Sequence, residues 1–329
     1  MIHPIPPGTR DVLPDEMREL RRLNRALIEV FEARGYGEVA TPAIEYDEVL
    51  ERGDSRGAAS AYRFFDENGE LLALRSDMTV PIARLAASRF ADAEPPLRLC
   101  YLASLYRAVR PQRGQMREFV QAGVELIGAP APVGNVEVVE VLGEALDAAG
   151  LDRAVIGLGD ADLYRQLLTE LGIEEKSRES LLARLAAHDI VGLEEELAEL
   201  KIGEERAATC LAVAQMRGGS EVLDQARGLG GEAVERAIAQ LQATYEALAE
   251  RGAAGRVQID LGLLRDLGYY SGAILEVYDP ALGHVLGGGG RYDGLMRKFG
   301  LDLPAAGFAL YVERVHVALM EEQRREGGA

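Results

Sequence analysis

Tyr106-Arg107-Ala108-Val109-Arg110-Pro111-Gln112-Arg113-Gly114-Gln115-Met116-Arg117 carries four arginines between two apolar runs. Leu97 to Arg107 and Glu118 to Ile127 read as strands, with Pro111, Gln112, Arg113 and Gly114 as the loop between them, so the spacing predicts an antiparallel pair. Guanidinium forks at this density suit a phosphate or a carboxylate, and the alternative is a solvated basic hairpin paired with surface acids. On the second strand, period-two alternation puts Gln121, Gly123 and Glu125 on one face and Val120, Val124 and Leu126 on or near the other. Two polar groups with a glycine between them leave room for a ligand, although a solvent-facing sheet surface carries the same pattern.

Working outward, Pro14 and Asp15 start a helix whose apolar residues Met17, Leu20, Leu23, Leu27, Ile28 and Phe31 recur at three and four residues. Gly35 ends it, a short strand runs from Tyr36 to Thr41, and Pro42 closes that strand. Pro81 to Phe90 and Val133 to Ala149 are expected as helices. From about Ala161 to Arg251 the pattern becomes short Ala-, Leu- and Glu-rich helical stretches broken by glycines. Strand sequence returns at Val257 to Leu261, Tyr269 to Val277 and Gly307 to Val312, and Glu313 to Arg325 closes the chain as a helix. The expectation is an α+β core in two parts, 1–155 and 256–329, around a helical insertion at 156–255.

A second polar group falls in the C-terminal part: Leu264-Arg265-Asp266-Leu267-Gly268-Tyr269-Tyr270, then Gly287-Gly288-Gly289-Gly290-Arg291-Tyr292-Asp293-Gly294-Leu295. The glycine run permits a hairpin, a bulge or the floor of a small-molecule pocket. It lacks the spacing of a dinucleotide fingerprint, and the chain has neither a Walker A loop nor a nucleophile elbow. His3, His188, His284 and His316 are scattered without triad or metal spacing, so no metal and no cofactor is expected. Cys100 and Cys210 are too few for a zinc cluster and read as buried small apolar residues.

The 329 residues carry 36 Lys and Arg against 54 Asp and Glu, a formal charge of −18. That balance repels polyphosphate except where arginines concentrate. Absence of Trp removes the commonest stacking platform for single-stranded bases. No apolar run approaches a membrane span and the N-terminus lacks the layout of a signal peptide, so a cytoplasmic protein is expected.

Six segments in order resemble the histidyl-tRNA synthetase family: Gly8 to Pro14, the helix and strand ending at Pro42, the Arg107 hairpin, Leu264 to Tyr270, Gly289 to Leu295, and Ala306-Gly307-Phe308 through Glu313-Arg314. The resemblance implies a class II aminoacyl-tRNA synthetase-like antiparallel sheet flanked by helices, with a helical insertion and dimerisation around Pro42. It also implies that Arg107 meets an α-phosphate or aminoacyl carboxylate and Arg314 a γ-phosphate.

Several positions depart from the synthetase pattern. Val109 stands where the synthetases carry the glutamate that accepts from the adenine amino group, a loss of about 1.5–3 kcal/mol. Asp77 and Met78 replace a glutamate and a glycine, and Gly268 an aspartate. Only a short helix follows Arg314, so no anticodon-binding domain is expected within 1–329.

These departures resemble the paralogous regulatory subunits that pair with the short-form catalytic subunit of ATP phosphoribosyltransferase. That resemblance implies a subunit without aminoacylation activity, forming a homodimer within a hetero-octamer, binding L-histidine and neither tRNA nor membrane. It assigns Asp77 and Thr79 to the α-ammonium, Arg107 or Gln121 to the carboxylate side, and Glu125 with Tyr270 to the imidazole. Arg265, Tyr269 and Tyr292 complete the histidine-binding set, and Arg107, Val109 and Arg314 mark a vestigial nucleotide site. A histidyl-tRNA synthetase, whole or truncated, and a free-standing histidine sensor are the rival readings.

Overall fold

Pro14 opens the first helix, α1 (Pro14–Ala33), and Asp15 and Glu16 follow in the turn whose backbone N–H groups lack helical partners. Leu20, Leu23, Leu27 and Phe31 form its buried stripe, whereas Met17 is 40% exposed and lies outside it. The computed structural model describes residues 5–54, 58–109, 116–265, 268–280 and 282–327.

The strand expected over Tyr36 to Thr41 is only β1 (Gly37–Glu38). Beyond it lie elements that the hydrophobic pattern does not announce. These are β2 (Ile44–Tyr46), α2 (Asp47–Gly53), β3 (Tyr62–Phe65) and β4 (Leu71–Leu74), whose strands form a small antiparallel sheet in the order β2-β4-β3. Runs of three or four residues are too short for alternation to be read.

Helix α3 (Thr79–Arg89) starts two residues before Pro81. Asp77 explains the shift: its Oδ1 accepts from the Val80 N–H at 3.0 Å, and Pro81 sits in the first turn, where a missing N–H costs nothing.

The expected hairpin is present. Strands β5 (Leu97–Tyr106) and β6 (Glu118–Ile127) pair antiparallel from Leu97 opposite Ile127 to Tyr106 opposite Glu118. The chain continues through α4 (Val133–Ala148) and β7 (Val155–Asp160), then helices α5 (Leu163–Glu170), α6 (Glu175–Ala186), α7 (Ile190–Glu199) and α8 (Glu204–Gln215). Next come β8 (Arg217–Gly218), α9 (Glu221–Ala226), α10 (Glu232–Glu250) and β9 (Val257–Asp260). The last elements are β10 (Ala273–Tyr278), β11 (Val285–Arg291), α11 (Asp293–Lys298), β12 (Ala305–Tyr311) and α12 (Val312–Gly327).

Nine strands form one sheet in the order β1-β5-β6-β12-β11-β10-β7-β9-β8. From β5 to β7 every pairing is antiparallel, as expected of the core, while β1 joins β5 and β9 joins β7 in parallel, which makes the whole sheet mixed. The strand β7, which falls at the head of the range expected as insertion, runs within this sheet. The glycine run is itself a strand, β11, and the strand expected from Tyr269 begins only at Ala273, after Gly272 at a φ of 85°.

On one face of the sheet α1 and α4 pack over Phe31, Val124, Leu142 and Phe308, and this buried cluster continues through β7 into Leu167, Leu185, Leu193, Cys210 and Leu241 of the helical stretch. On the other face, near the small sheet and α3, a second cluster collects Met78, Ile82, Tyr101, Tyr269 and Tyr292. Cys100 and Cys210 are both buried and unpaired by disulfide. Among the described residues no helix is long and apolar enough to cross a membrane.

Candidate functional site

The polar face read on β6 does not meet solvent. Gln121 and Glu125 are 5% and 2% exposed, because β12 pairs alongside with Gly307 opposite Glu125 and Tyr311 opposite Gln121, while the small sheet and α3 close over the top. Glycine makes the approach feasible: a Cβ on Gly123 would fall 2.6 Å from the Tyr101 hydroxyl.

Glu125 is one pole of the resulting cavity, whose empty space is about 440 Å³ counting the mouth. Its Oε1 accepts from the Thr79 hydroxyl at 2.8 Å and its Oε2 from the Tyr292 hydroxyl. Burial pushes the carboxyl up to about 8; the two hydroxyl donors act against that shift and the neighbouring Asp77 adds to it. A carboxyl poised there offers a polar ring either partner: its acid form donates to a bare ring nitrogen and its ionised form accepts from a ring N–H. Asp77, at the mouth of α3, is also raised by burial, with the Val80 N–H and Arg107 acting against it.

Arginines form the opposite pole. Arg107 Nε donates to the Ser76 carbonyl at 3.1 Å and Nη1 to the Tyr311 hydroxyl at 3.4 Å. Arg265 packs over Gly288 of β11, with Nη1 donating to the Leu275 carbonyl at 3.3 Å, and Glu276 stands 3.8 Å from the same nitrogen. Its Nε is buried without a hydrogen-bond partner among the described residues, a donor left for an incoming acceptor. The glycines of β11 make this possible, since a Cβ on Gly288 would fall 2.7 Å from Arg265 Cζ and 2.5 Å from the Leu275 carbonyl.

Aromatic rings fill the side between the poles. Tyr269 packs on Tyr270 at 4.9 Å between centroids and on Tyr292 at 5.9 Å. All nine residues expected to hold histidine therefore line one cavity: Asp77, Thr79, Arg107, Gln121 and Glu125 from the first part of the chain, Arg265, Tyr269, Tyr270 and Tyr292 from the last.

The three residues expected at a nucleotide site border a second, neighbouring cavity, whose empty space is about 630 Å³ counting the open mouth. Arg107, Val109 and Arg314 share it with Met116, Phe119, Tyr311 and Glu313. Arg314 Nη1 donates to the Val285 carbonyl at 2.7 Å, and Glu313 accepts from the Val120 N–H at 3.0 Å.

Arg291, which the glycine motif carries, takes no part in either cavity. It is buried toward α4, bonded to Asn135 at 3.2 Å and to the Ala129 carbonyl at 2.6 Å. Arg110, Pro111, Gln112, Arg113 and Gly114 of the arginine loop, with Asp266, Leu267 and His3, lie outside the described residues. Of the other histidines, His316 is buried 2.8 Å from Glu19, and His188 lies 3.9 Å from Glu276. Among the described residues no cluster of His, Cys, Asp or Glu has the arrangement of a metal site.

Tyr101 and Tyr311 line the first cavity and were not among the expected residues. A signal for Tyr311 was present: counted by twos along the strand expected from Gly307, it shares that glycine's face. Tyr101 had a weaker one, since its facing of the cavity depends on the register of β5 against Gly123.

The family model for histidyl-tRNA synthetase matches residues 8–315. A curated ATP phosphoribosyltransferase regulatory subunit of Moorella thermoacetica is 42% identical over 316 residues, covering 95% of this chain and 81% of that protein. A crystal structure described as an ATP phosphoribosyltransferase regulatory subunit/histidyl-tRNA synthetase from Bacillus halodurans superposes with a TM-score of 0.89 at 33% identity, covering 97% of this chain and 84% of the other. A histidine–tRNA ligase subunit from Alicyclobacillus acidocaldarius superposes with a TM-score of 0.85 at 32% identity, covering 98% and 99%.

Proposed function

This chain belongs to the histidyl-tRNA synthetase family and, within it, to the ATP phosphoribosyltransferase regulatory subunits, and from that premise we propose that it serves a short-form catalytic subunit as its histidine-responsive partner. The observation that carries the ligand assignment is the two-pole cavity. A buried carboxyl, Glu125, with two hydroxyl donors stands at one pole, and Arg265, with a buried N–H left over, stands at the other.

L-Histidine matches this arrangement group by group. Its imidazole needs a polar partner at each nitrogen, which Glu125 and Tyr270 supply. Its ammonium needs an acceptor such as Asp77 or Thr79, and its carboxylate needs the Arg107, Gln121 and Arg265 side. An amino acid with an apolar side chain would set carbon against the cavity-facing side of the Glu125 carboxyl, and the lost polar contact there is the source of selectivity.

In this reading the chain makes and breaks no bonds. It forms a homodimer within a hetero-octamer, does not charge tRNA, and converts histidine occupancy into a change in its partner's activity. Coupling of about 1–3 kcal/mol between the histidine site and the catalytic subunit changes affinity or turnover roughly 5- to 150-fold.

The test mixes the purified chain with a short-form catalytic subunit and then titrates L-histidine. Activity is expected to rise on mixing and to fall as histidine is added. A catalytic subunit indifferent to both additions rules the proposal out. Arg107, Arg265 and Arg314 are equally compatible with the synthetase alternative, which the shared fold fits without favouring. Histidine-dependent exchange of pyrophosphate into ATP by the chain alone would decide for it. Histidine binding that leaves the transferase untouched would instead identify a sensor for another partner.

A further inference from the structure

We propose that Tyr311 is a built-in stopper: its ring and hydroxyl fill the space between Arg107 and Arg314 that the base and phosphate of a nucleotide would occupy, and so exclude nucleoside triphosphates from the cleft. The inference does not depend on histidine being the ligand of the first cavity.

Tyr311 is the last residue of β12, and the next residue begins α12. It stands opposite Gln121 on the ligand-facing side of the sheet and lines both cavities. The Arg314 guanidinium lies 4.5 Å from its ring centroid. Against the ring packs Phe119, with centroids 5.4 Å apart and planes at 56°. Arg107 covers Phe119 at 5.0 Å and donates to the Tyr311 hydroxyl.

Two guanidiniums around an aromatic floor form a general receptor for a flat base that carries an anion, since arginine both stacks on rings and forks onto phosphate. Here the receptor is filled from within the chain. The tyrosine ring takes the stacking place under Arg314, and its hydroxyl takes the acceptor place beside Arg107.

The electrostatics of the position agree with the geometry. Burial alone would raise the Tyr311 phenol, yet Arg107, Arg265 and Arg314 together bring it down to about 8. The field at that oxygen is therefore one that favours an anion. Outside the stopper the second cavity remains open, but Val109 and Met116 on its wall present carbon to any base that enters. Tyr311 and Arg107 line both cavities, so the ring stands where the two adjoin.

Removal of the ring is the direct test. ATP is titrated calorimetrically into the full-length chain and into Tyr311→Phe, Tyr311→Leu and Tyr311→Ala, with cooperative thermal melting as the check on folding. Wild type and Tyr311→Phe, which keeps the ring, are expected to show no saturable binding. Tyr311→Ala and Tyr311→Leu are expected to bind at least about tenfold more tightly than wild type, and adding Arg314→Ala to either should abolish the gain.

ATP binding by wild type as tight as by the ring-deleted variants overturns the proposal. So does a folded ring-deleted variant with no gain; if Tyr311→Ala does not melt cooperatively, Tyr311→Leu carries the comparison. The wild-type measurement decides even if neither variant folds, because saturable ATP binding at a site lost with Arg314→Ala contradicts a stopper. L-Histidine titrated into the wild-type chain reports separately on the ligand of the first cavity.

Discussion

Glu125 shows how one residue couples ligand chemistry to stability. Its carboxyl, pushed up to about 8 by burial, keeps a proton in the folded chain that the unfolded chain releases near the ordinary value of 4.5. A raised value means that its contribution to stability is fully present below about pH 4.5 and is lost as the pH rises through 8. Glu125→Gln keeps the shape and removes the titration. The variant is therefore expected to lose less stability than wild type between pH 5 and pH 8, the difference reaching a few kcal/mol at pH 8. Urea unfolding at pH 5, 6.5 and 8 measures it, and parallel curves for the two proteins would refute the assignment. Asp77, raised in the same direction, leaves a residual slope in both proteins.

At the scale of the element, β11 is informative because its sequence is unlike a strand. Glycine weakens strands by entropy and by the absence of a side chain to pack, so Gly287 to Gly290 reads more readily as a turn. The strand persists because Arg265 lies across one face and β10 and β12 pair on both sides. Gly288→Val puts methyl groups where the Leu275 carbonyl and the Arg265 guanidinium already stand. The expected cost is about 1–3 kcal/mol of stability, with weaker binding of the cavity's ligand because Arg265 is displaced. Urea midpoints and ligand titration report the two effects, and a variant with wild-type midpoint and affinity would show that Arg265 has room to move.

For the molecule as a whole, the buried cluster behind the sheet runs without interruption into the helical stretch. Leu167 of α5 is fully buried in that cluster, as is Leu142 of α4. Leu167→Ala is therefore expected to lower the stability of the entire chain by about 2–5 kcal/mol within a single transition. Far-ultraviolet circular dichroism and tyrosine fluorescence followed through the same urea series should coincide. Two separated transitions would mean that the helices melt on their own. The net charge of −18 has little to do with this core and concerns the surface, whereas Arg107 and Arg265 line the cavity.

Long periodic or alternating runs were legible from the sequence because their pattern is local. The stripe of α1, the hairpin of β5 and β6, and the polar face of Gln121 and Glu125 all follow from spacing alone, and the ordered segments identified the family before any geometry was known. What spacing could not supply was whatever depends on a distant partner. The small sheet of β2, β3 and β4 is too short to show a period, and β11 is a strand only because its neighbours pair with it. Tyr311 became a candidate stopper only when β12 was aligned against β6 and α12 brought Arg314 over its ring. Thr79 and Tyr292, 213 positions apart in sequence by their numbering, meet on one carboxylate through tertiary structure alone. Burial of that carboxylate, and with it the raised pKa, is a property of the assembled layers around Glu125 and is not encoded in any neighbouring residue.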